Sequence, residues 1–445
     1  MHITLGLQNL QTNYKKRQKT DELYNKCYVL LHKQRITKSR KAKMSHIKQG
    51  YKQTEVGVIP EDWDTNEFGE LTERIIGDGT PSRSNPLYWG NEIPWVTVKD
   101  LATFNCSQTQ EYITKKGLKN SASHLIPKGI IITSTRMALG KAVIYDVDVS
   151  INQDLKAIFP KKNIDTKFFY YWFQFNSKFI EDLGSGSTVM GLSLPDLRKI
   201  IVAFPPKSEQ TAIANALSDT DVLISCLEKL IAKKRNIKQG AMQKLLQPKK
   251  GWKVMKLGEV AIFLKGKGLP KSHIQENGKL KCIHYGELFT KYNEFIGNIL
   301  SYTNENENSF YSVSNDVLMP TSDVTPNGLA TASCIKEDGI ILGGDVLIIR
   351  LQKNVMDGIF LSYYIAQNRE QIMKLVSGST VYHLYGSDMK NFEIIVPEIK
   401  EQICIATIFL DMDLEITSIE TKLAKYRNIK LGMMQNLLTG KIRLI

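Results

Sequence analysis

The hydrophobic pattern of this chain is dominated by one long stretch that occurs twice. From Glu209 to Leu246, Ile213, Leu217, Ile224, Leu227, Ile231, Ala241 and Leu245 recur at alternating three- and four-residue steps, with Thr220, Lys234 and Lys238 on the same line. A shift of 192 residues brings a second copy into register, Glu401 to Leu438. Its line reads Ile405, Phe409, Met412, Ile416, Ile419, Leu423, Tyr426, Lys430, Met433 and Leu437. The copies align without a gap and are identical at 19 of 38 positions, which two unrelated surface helices would not be. The spacing predicts a long helix in each copy, with a coiled-coil stripe that softens near the shared lysine. One helix cannot bury such a stripe alone. The copies are therefore expected to pair, through Ile213, Leu217, Ile224, Leu227 and Ile231 on one helix and Ile405, Phe409, Ile416, Ile419 and Leu423 on the other. Pro205-Pro206 and Pro397 mark the ends of the preceding segments.

Ahead of each helix the pattern changes to short apolar runs separated by turn residues. Ile93–Val98, Gly129–Thr133, Lys141–Tyr145 and Lys199–Phe204 read as strands. The aromatic run Phe168–Phe173 and its partner Phe360–Tyr364 read as core helices in preference to base-stacking platforms. The order then restarts: Trp252 repeats Trp63, Leu257-Gly-Glu-Val260 repeats Phe68-Gly-Glu-Leu71, and Asp345 answers Asp154. Likewise Ser377-Gly-Ser-Thr-Val381 repeats Ser185-Gly-Ser-Thr-Val189. The middles differ, since Ile93-Pro-Trp-Val-Thr-Val98 faces Leu280-Lys-Cys-Ile-His-Tyr285. The expected fold class is mixed α/β, with an internal pseudo-two-fold repeat of globe and helix. The boundaries read as a basic extension over 1–50, a first globe over 51–206, a helix over 207–250, a second globe over 251–397 and a second helix over 398–445.

Charge alters this picture only at the N-terminus. The net charge is +14, but residues 1–50 carry 12 Lys or Arg against Asp21 and Glu22, leaving the rest nearly balanced. A polyanion surface in the globes must therefore come from local placement. With so little apolar surface, the extension is expected to be a solvated tail, and Met44 stands just before globular patterning begins. The six cysteines are scattered, without a C-x-x-C pair, which is the pattern of reduced thiols in a cytosolic protein and speaks against zinc. No apolar run approaches membrane-spanning length.

The motifs of catalysis are missing. There is no phosphate-binding G-x-x-x-x-G-K-[ST], no G-x-S-x-G and no H-E-x-x-H. Asn85-Pro-Leu-Tyr88 approaches the catalytic loop of adenine methyltransferases but has Leu87 where a second proline belongs, so a turn is the preferred reading. The Gly-Ser-Gly-Ser-Thr loops, by contrast, offer backbone N–H groups and hydroxyls suited to phosphate oxygens.

Taken together, the chain from residue 51 onward resembles the specificity (S) subunits of Type I restriction-modification systems. The resemblance rests on the two-fold globe-and-helix repeat, on Tyr51–Trp63, on Ile93–Leu101, on Gly-Ser-Thr before each helix, and on Arg-Asn-Ile-Lys near the end of each. It implies two target-recognition domains separated by an antiparallel pair of long helices, each domain reading one half of a bipartite, asymmetric double-stranded DNA target. It implies further that the helices set the spacer and dock two methyltransferase subunits, with restriction/translocase subunits joining them in the cytoplasm. The chain itself would be non-catalytic; S-adenosylmethionine, ATP and Mg would sit on the partner subunits. In the first domain the expected DNA-contacting residues are Thr80, Ser82, Arg83, Lys99, Ser134, Arg136, Lys141, Ser185, Ser187 and Thr188. In the second they are Lys265, Lys267, Lys271, Thr321, Ser322, Asn327, Ser377, Ser379 and Thr380. Aligning Ile132-Thr-Ser-Thr-Arg136 with Met319-Pro-Thr-Ser-Asp323 sets Asp323 where Arg136 stands, which reads either as an acceptor for cytosine N4 or as a repositioned loop. The alternatives are the recognition subunit of a related, non-translocating system, a degenerate adenine methyltransferase, and a structural adaptor.

Overall fold

In the computed structural model, residues 47–184 and 191–445 are described. The described residues form two compact units, one from those up to 224 together with 425–445 and one of residues 225–424. The long helices are Lys207–Leu245 and Ile399–Leu437. Each unit therefore contains the start of one helix and the end of the other.

The first unit is built on a four-stranded antiparallel sheet, ordered Thr72–Gly77, Leu155–Pro160, Ile131–Ser134, Ala142–Ile144. Its middle strands are almost entirely apolar because both faces are covered. Ile131, Ala142 and Ile158 point to a core shared with Phe168, Phe169, Tyr171, Trp172 and Phe173 of the helix Thr166–Phe175. Ile132, Val143, Leu155 and Ala157 alternate with them and pack on the other face against Val96 and Ile151. The aromatic run is thus a core helix: Phe169 stacks on Phe68 at 4.8 Å between ring centroids, and the Asp165 carboxylate caps the helix by accepting from the Phe168 amide at 3.0 Å. A second, three-stranded sheet centres on Trp89–Val96, and Asp64–Glu67 pairs with Ile201–Phe204 immediately before the long helix.

The second unit repeats this plan with five strands, ordered Ala261–Lys265, Val346–Leu351, Asp316–Pro320, Ser333–Ile335, Phe295–Ile296, the last pair parallel. Val317, Met319, Leu347 and Ile349 meet the helix Gly358–Gln367, while Leu318, Val346 and Ile348 meet Ile283 and Leu342. Lys253–Lys256 pairs with Glu393–Val396, as the corresponding strands do in the first unit. The central strands Leu155–Pro160 and Val346–Leu351 are among the elements the hydrophobic pattern did not disclose.

Within each unit the two helices run antiparallel. In the second, Lys234 meets Glu415 at 2.6 Å and Lys238 meets Asp413 at 2.7 Å, so residues advancing on one helix meet residues receding on the other. In the first, Lys430 meets Asp221 at 2.5 Å and the Thr220 hydroxyl lies 3.5 Å from the Met433 sulfur. Of the expected seam, Ile231, Ile416, Ile419 and Leu423 are buried and Ile224 and Leu227 half-buried. The ends of the seam are absorbed into the globes. Ile213 and Leu217 share the first core with Met434, Leu437 and Leu438, and Ile405 and Phe409 share the second with Met242 and Leu246.

The residues identical in both helices make the same bonds in both units. Gln210 accepts from the Asp165 amide at 2.7 Å and donates to the Pro205 carbonyl at 2.9 Å; Gln402 does the same with Asp357 and Pro397, each at 2.9 Å. The indoles of Trp63 and Trp252 donate to Glu209 and Glu401 at 3.1 and 2.9 Å. Each glutamate is also held by a cation, Lys249 for Glu401 and Arg443 for Glu209.

Candidate nucleic-acid interface

The feature that positions the candidate surface is a backbone clamp at the end of a central strand. Beyond Ile131–Ser134, the Thr135 amide and hydroxyl both donate to the Asp154 carbonyl, at 3.0 and 3.2 Å. The Thr135 carbonyl accepts from the Leu192 amide at 2.9 Å. Thr321 makes the same three bonds, with Asp345 at 3.0 and 3.2 Å and with Leu384 at 3.0 Å. The residue after each threonine then forms an antiparallel bridge: Arg136 with Gly191, and Ser322 with His383.

This geometry corrects the alignment of the two globes by one residue. The counterpart of Arg136 is Ser322, not Asp323, and the residue facing it across the bridge is Gly191 in one globe and His383 in the other. A one-residue slip moves a side chain to the opposite face of a strand, so the error matters. Asp323 is not an acceptor aimed at a base. Its carboxylate turns back on its own loop, accepting from the Val324 amide and the Thr325 hydroxyl, both at 2.7 Å. An added Cβ at Gly328 would stand 1.9 Å from the same carboxylate, so a side chain there would have to displace it.

Arg136 is exposed, and among the described residues its guanidinium meets no carboxylate, Asp146 included. Its aliphatic part lies over Gly191, where an added Cβ would stand 3.9 Å from the Arg136 Cγ. Lys141 is exposed beyond Gly140, whose φ of +74° and 2.0 Å approach of its Cβ position to the Ser177 carbonyl exclude any side chain. Ser134 is a correction: it is buried, and its hydroxyl donates to the Arg136 carbonyl, so it shapes the loop and does not face solvent. Thr80, Ser82 and Lys99 are exposed, with Thr80 donating to Gln153 at 2.5 Å and Ser82 sharing a proton with Ser84 at 2.8 Å. Arg83 is exposed and paired with a carboxylate of its own globe. Both carboxylate oxygens of Glu111 take its guanidinium, which lies flat over Trp89 at 3.8 Å. That bond holds the Glu111 carboxyl below the usual carboxylate range, so the arginine fork is engaged within the fold. Ser185, Ser187 and Thr188 lie outside the described residues.

In the second globe, Lys265, Thr321 and Ser322 come together in one cleft of about 410 Å³, with Phe263, Asp345, His383 and Tyr385. Lys265 reaches Asp345 at 3.5 Å. Thr321, like Ser134, is a correction: it is buried by the clamp, and its amide, carbonyl and hydroxyl are all used inside the fold. Ser377 closes a tight turn onto His383 through two backbone bonds of 3.0 and 2.8 Å, leaving Ser379 and Thr380 exposed at the tip. Lys267, Lys271 and Asn327 are exposed. His383 and Tyr385, whose rings stack at 5.9 Å with 16° between planes, escaped the sequence reading. A motif carried over from the first globe has glycine at that place and gives no signal for them.

The helices hold a second polar feature that periodicity showed only as a softened stripe. Lys238 contacts both oxygens of Asp413 at 2.7 Å, and the Tyr363 phenol donates to the same carboxylate at 2.5 Å. The equivalent set is Lys430, Asp221 and Tyr171, the phenol donating at 2.8 Å. Burial, and then the carboxylate, push both phenols up, so they remain donors at any working pH. Among the described residues no group of three or more His, Cys, Asp or Glu could hold a metal, and no helix is long and apolar enough to cross a membrane. Asn85 caps the turn Pro86–Tyr88, its carbonyl accepting from the Leu87 amide at 3.1 Å, as expected for a turn.

Fold and surface together define a class: an internally duplicated α/β protein that presents unlike polar side chains from one repeated backbone clamp. A family model described as the Type I restriction modification DNA specificity domain matches twice, over residues 60–235 and 249–426, and the chain belongs to that family. The Type I restriction enzyme MjaIX specificity subunit of Methanocaldococcus jannaschii is 29% identical over 265 residues, 54% of this chain and 61% of that protein. The putative MjaX specificity subunit of the same organism is 25% identical over 424 residues, 89% of this chain and 97% of that protein. Among solved structures, the S subunit of a Type I restriction-modification system from M. genitalium superposes with a TM-score of 0.59 at 16% identity, covering 89% of this chain and 98% of its own. At that identity the likeness is one of fold.

Proposed function

We propose that this chain reads DNA for a Type I restriction-modification complex, each globe recognising one half of a bipartite target. The observation that carries the reading is the repeated clamp. Thr135 with Asp154 and Thr321 with Asp345 make identical bonds, yet the next residues differ, Arg136 opposite Gly191 and Ser322 opposite His383. A shared scaffold with unlike reading residues is what two different half-sites require. The internal repeat in the sequence would suit the opposite strand polarities of duplex DNA. The long helices would dock two methyltransferase subunits, and restriction/translocase subunits would join that assembly. S-adenosylmethionine, ATP and Mg would be held by those partners, and this chain would contribute no catalytic group.

The test is binding by the full chain, assembled with its methyltransferase partner, to randomised duplex DNA at several salt concentrations. The expected result is enrichment of two short specified blocks at fixed spacing, with affinity falling steeply as salt rises. Salt-independent binding, or enrichment of no sequence, would favour an adaptor.

A further inference from the structure

The two globes place one long hydrogen-bonding side chain on the same two-residue bridge, but from opposite strands. In the first, Arg136 projects and Gly191 leaves room for it. In the second, Ser322 is the small member and His383 the long one. The clamp that precedes each bridge is identical bond for bond, so the two side chains leave facing positions of the same bridge. From this we infer that His383 is the base-reading residue of the second globe, the functional counterpart of Arg136 supplied from the other strand. The inference deepens the DNA-reading proposal and rests on it.

The surroundings of His383 suit that role. Its backbone is pinned on both sides: it pairs with Ser322, and it exchanges bonds of 3.0 and 2.8 Å with Ser377. The ring is half-buried and stacks on Tyr385, with 16° between the ring planes. It opens on the cleft that Lys265, Asp345 and Phe263 also line. An imidazole has one nitrogen that donates and one that accepts when neutral, so it can donate to guanine N7 or O6, or accept a hydrogen bond from adenine N6. It makes one bond where an arginine fork makes two. The second globe should therefore discriminate less sharply at this position than the first does at the position read by Arg136.

The experiment is selection from randomised duplex DNA by the full chain, assembled with its methyltransferase partner, comparing wild type, His383→Ala, His383→Asn and Arg136→Ala, with melting temperatures recorded in parallel. His383→Ala should lower preference at one position of one half-site by roughly three- to tenfold and leave the other half-site unchanged. Arg136→Ala should do the converse, by roughly five- to a hundredfold. His383→Asn, which keeps a donor and an acceptor, should shift the preferred base without flattening preference. Unaltered selection in both His383 variants, with Arg136→Ala effective, overturns the inference and leaves the DNA-reading proposal standing. An equal loss on all sequences also overturns it, since that marks a phosphate contact or a packing role. If wild type selects no bipartite sequence, the DNA-reading proposal fails and the inference with it.

Discussion

Two hydroxyl residues, one in each globe, do different work from Arg136. Ser134 and Thr321 are buried and bonded within their loops, whereas Arg136 has no carboxylate partner among the described residues. Arg136→Ala should therefore leave the melting temperature of the free subunit unchanged while reducing cognate discrimination by about 1–3 kcal/mol. Thr321→Val should do the reverse. It keeps the volume but removes a donor to the Asp345 carbonyl, lowering stability by about 1 kcal/mol, with the second half-site still read. Thermal melts and binding to single-base variants separate the two. The misplacement of Asp323 shows why sequence alone stopped short here. Ser134-Thr135 and Thr321-Ser322 are both hydroxyl pairs, so nothing in the residue types distinguishes one alignment from its neighbour. Only the carbonyls of Asp154 and Asp345 settle the register.

At the scale of elements, the long helices were legible because their stripe repeats without a gap, and the aromatic helices because their bulk has nowhere else to go. The central strands Leu155–Pro160 and Val346–Leu351 were not, since a short, almost wholly apolar run has no period to read. The lysines that soften the stripe have a physical reason: Lys238 and Lys430 meet Asp413 and Asp221 within the paired helices. A partly buried ion pair adds little net stability but penalises any other register. Asp413→Ala leaves Lys238, only 15% exposed at its side chain, without its main partner and should cost about 1–3 kcal/mol in a chemical melt. Changing Lys238 and Asp413 together to Met and Leu should cost less than the single change. Ile416→Asp, which puts a charge at a buried seam position, should cost about 3–5 kcal/mol and disrupt assembly seen by size exclusion. Stability and assembly unaltered by Ile416→Asp would contradict the paired helices.

For the molecule as a whole, the duplication extends to how its ends are tied. Arg443 bonds Glu209 and Asp62, as Lys249 bonds Glu401 in the other unit, and the Tyr51 phenol donates to the Gly440 carbonyl at 2.9 Å. Arg443 holds the Asp62 carboxyl below its ordinary range, and Lys249 does the same for Glu401. A carboxyl depressed in the folded state stabilises above its unfolded pKa of about 4 and loses that contribution as pH falls through the folded value. Melting temperature should accordingly drop below about pH 4, and Arg443→Ala should make that drop shallower. Since the Asp62 and Glu401 carboxyls are well exposed, the effect should be small and weaken with salt. The central claim is that each globe reads its own half of the target. Its most direct test is to replace residues 251–397 with the corresponding globe of a different family member and map modified sites in DNA from a host carrying the system. One block of the recognised sequence should change while the other block stays as it was. A change in both blocks, or in neither, would contradict it.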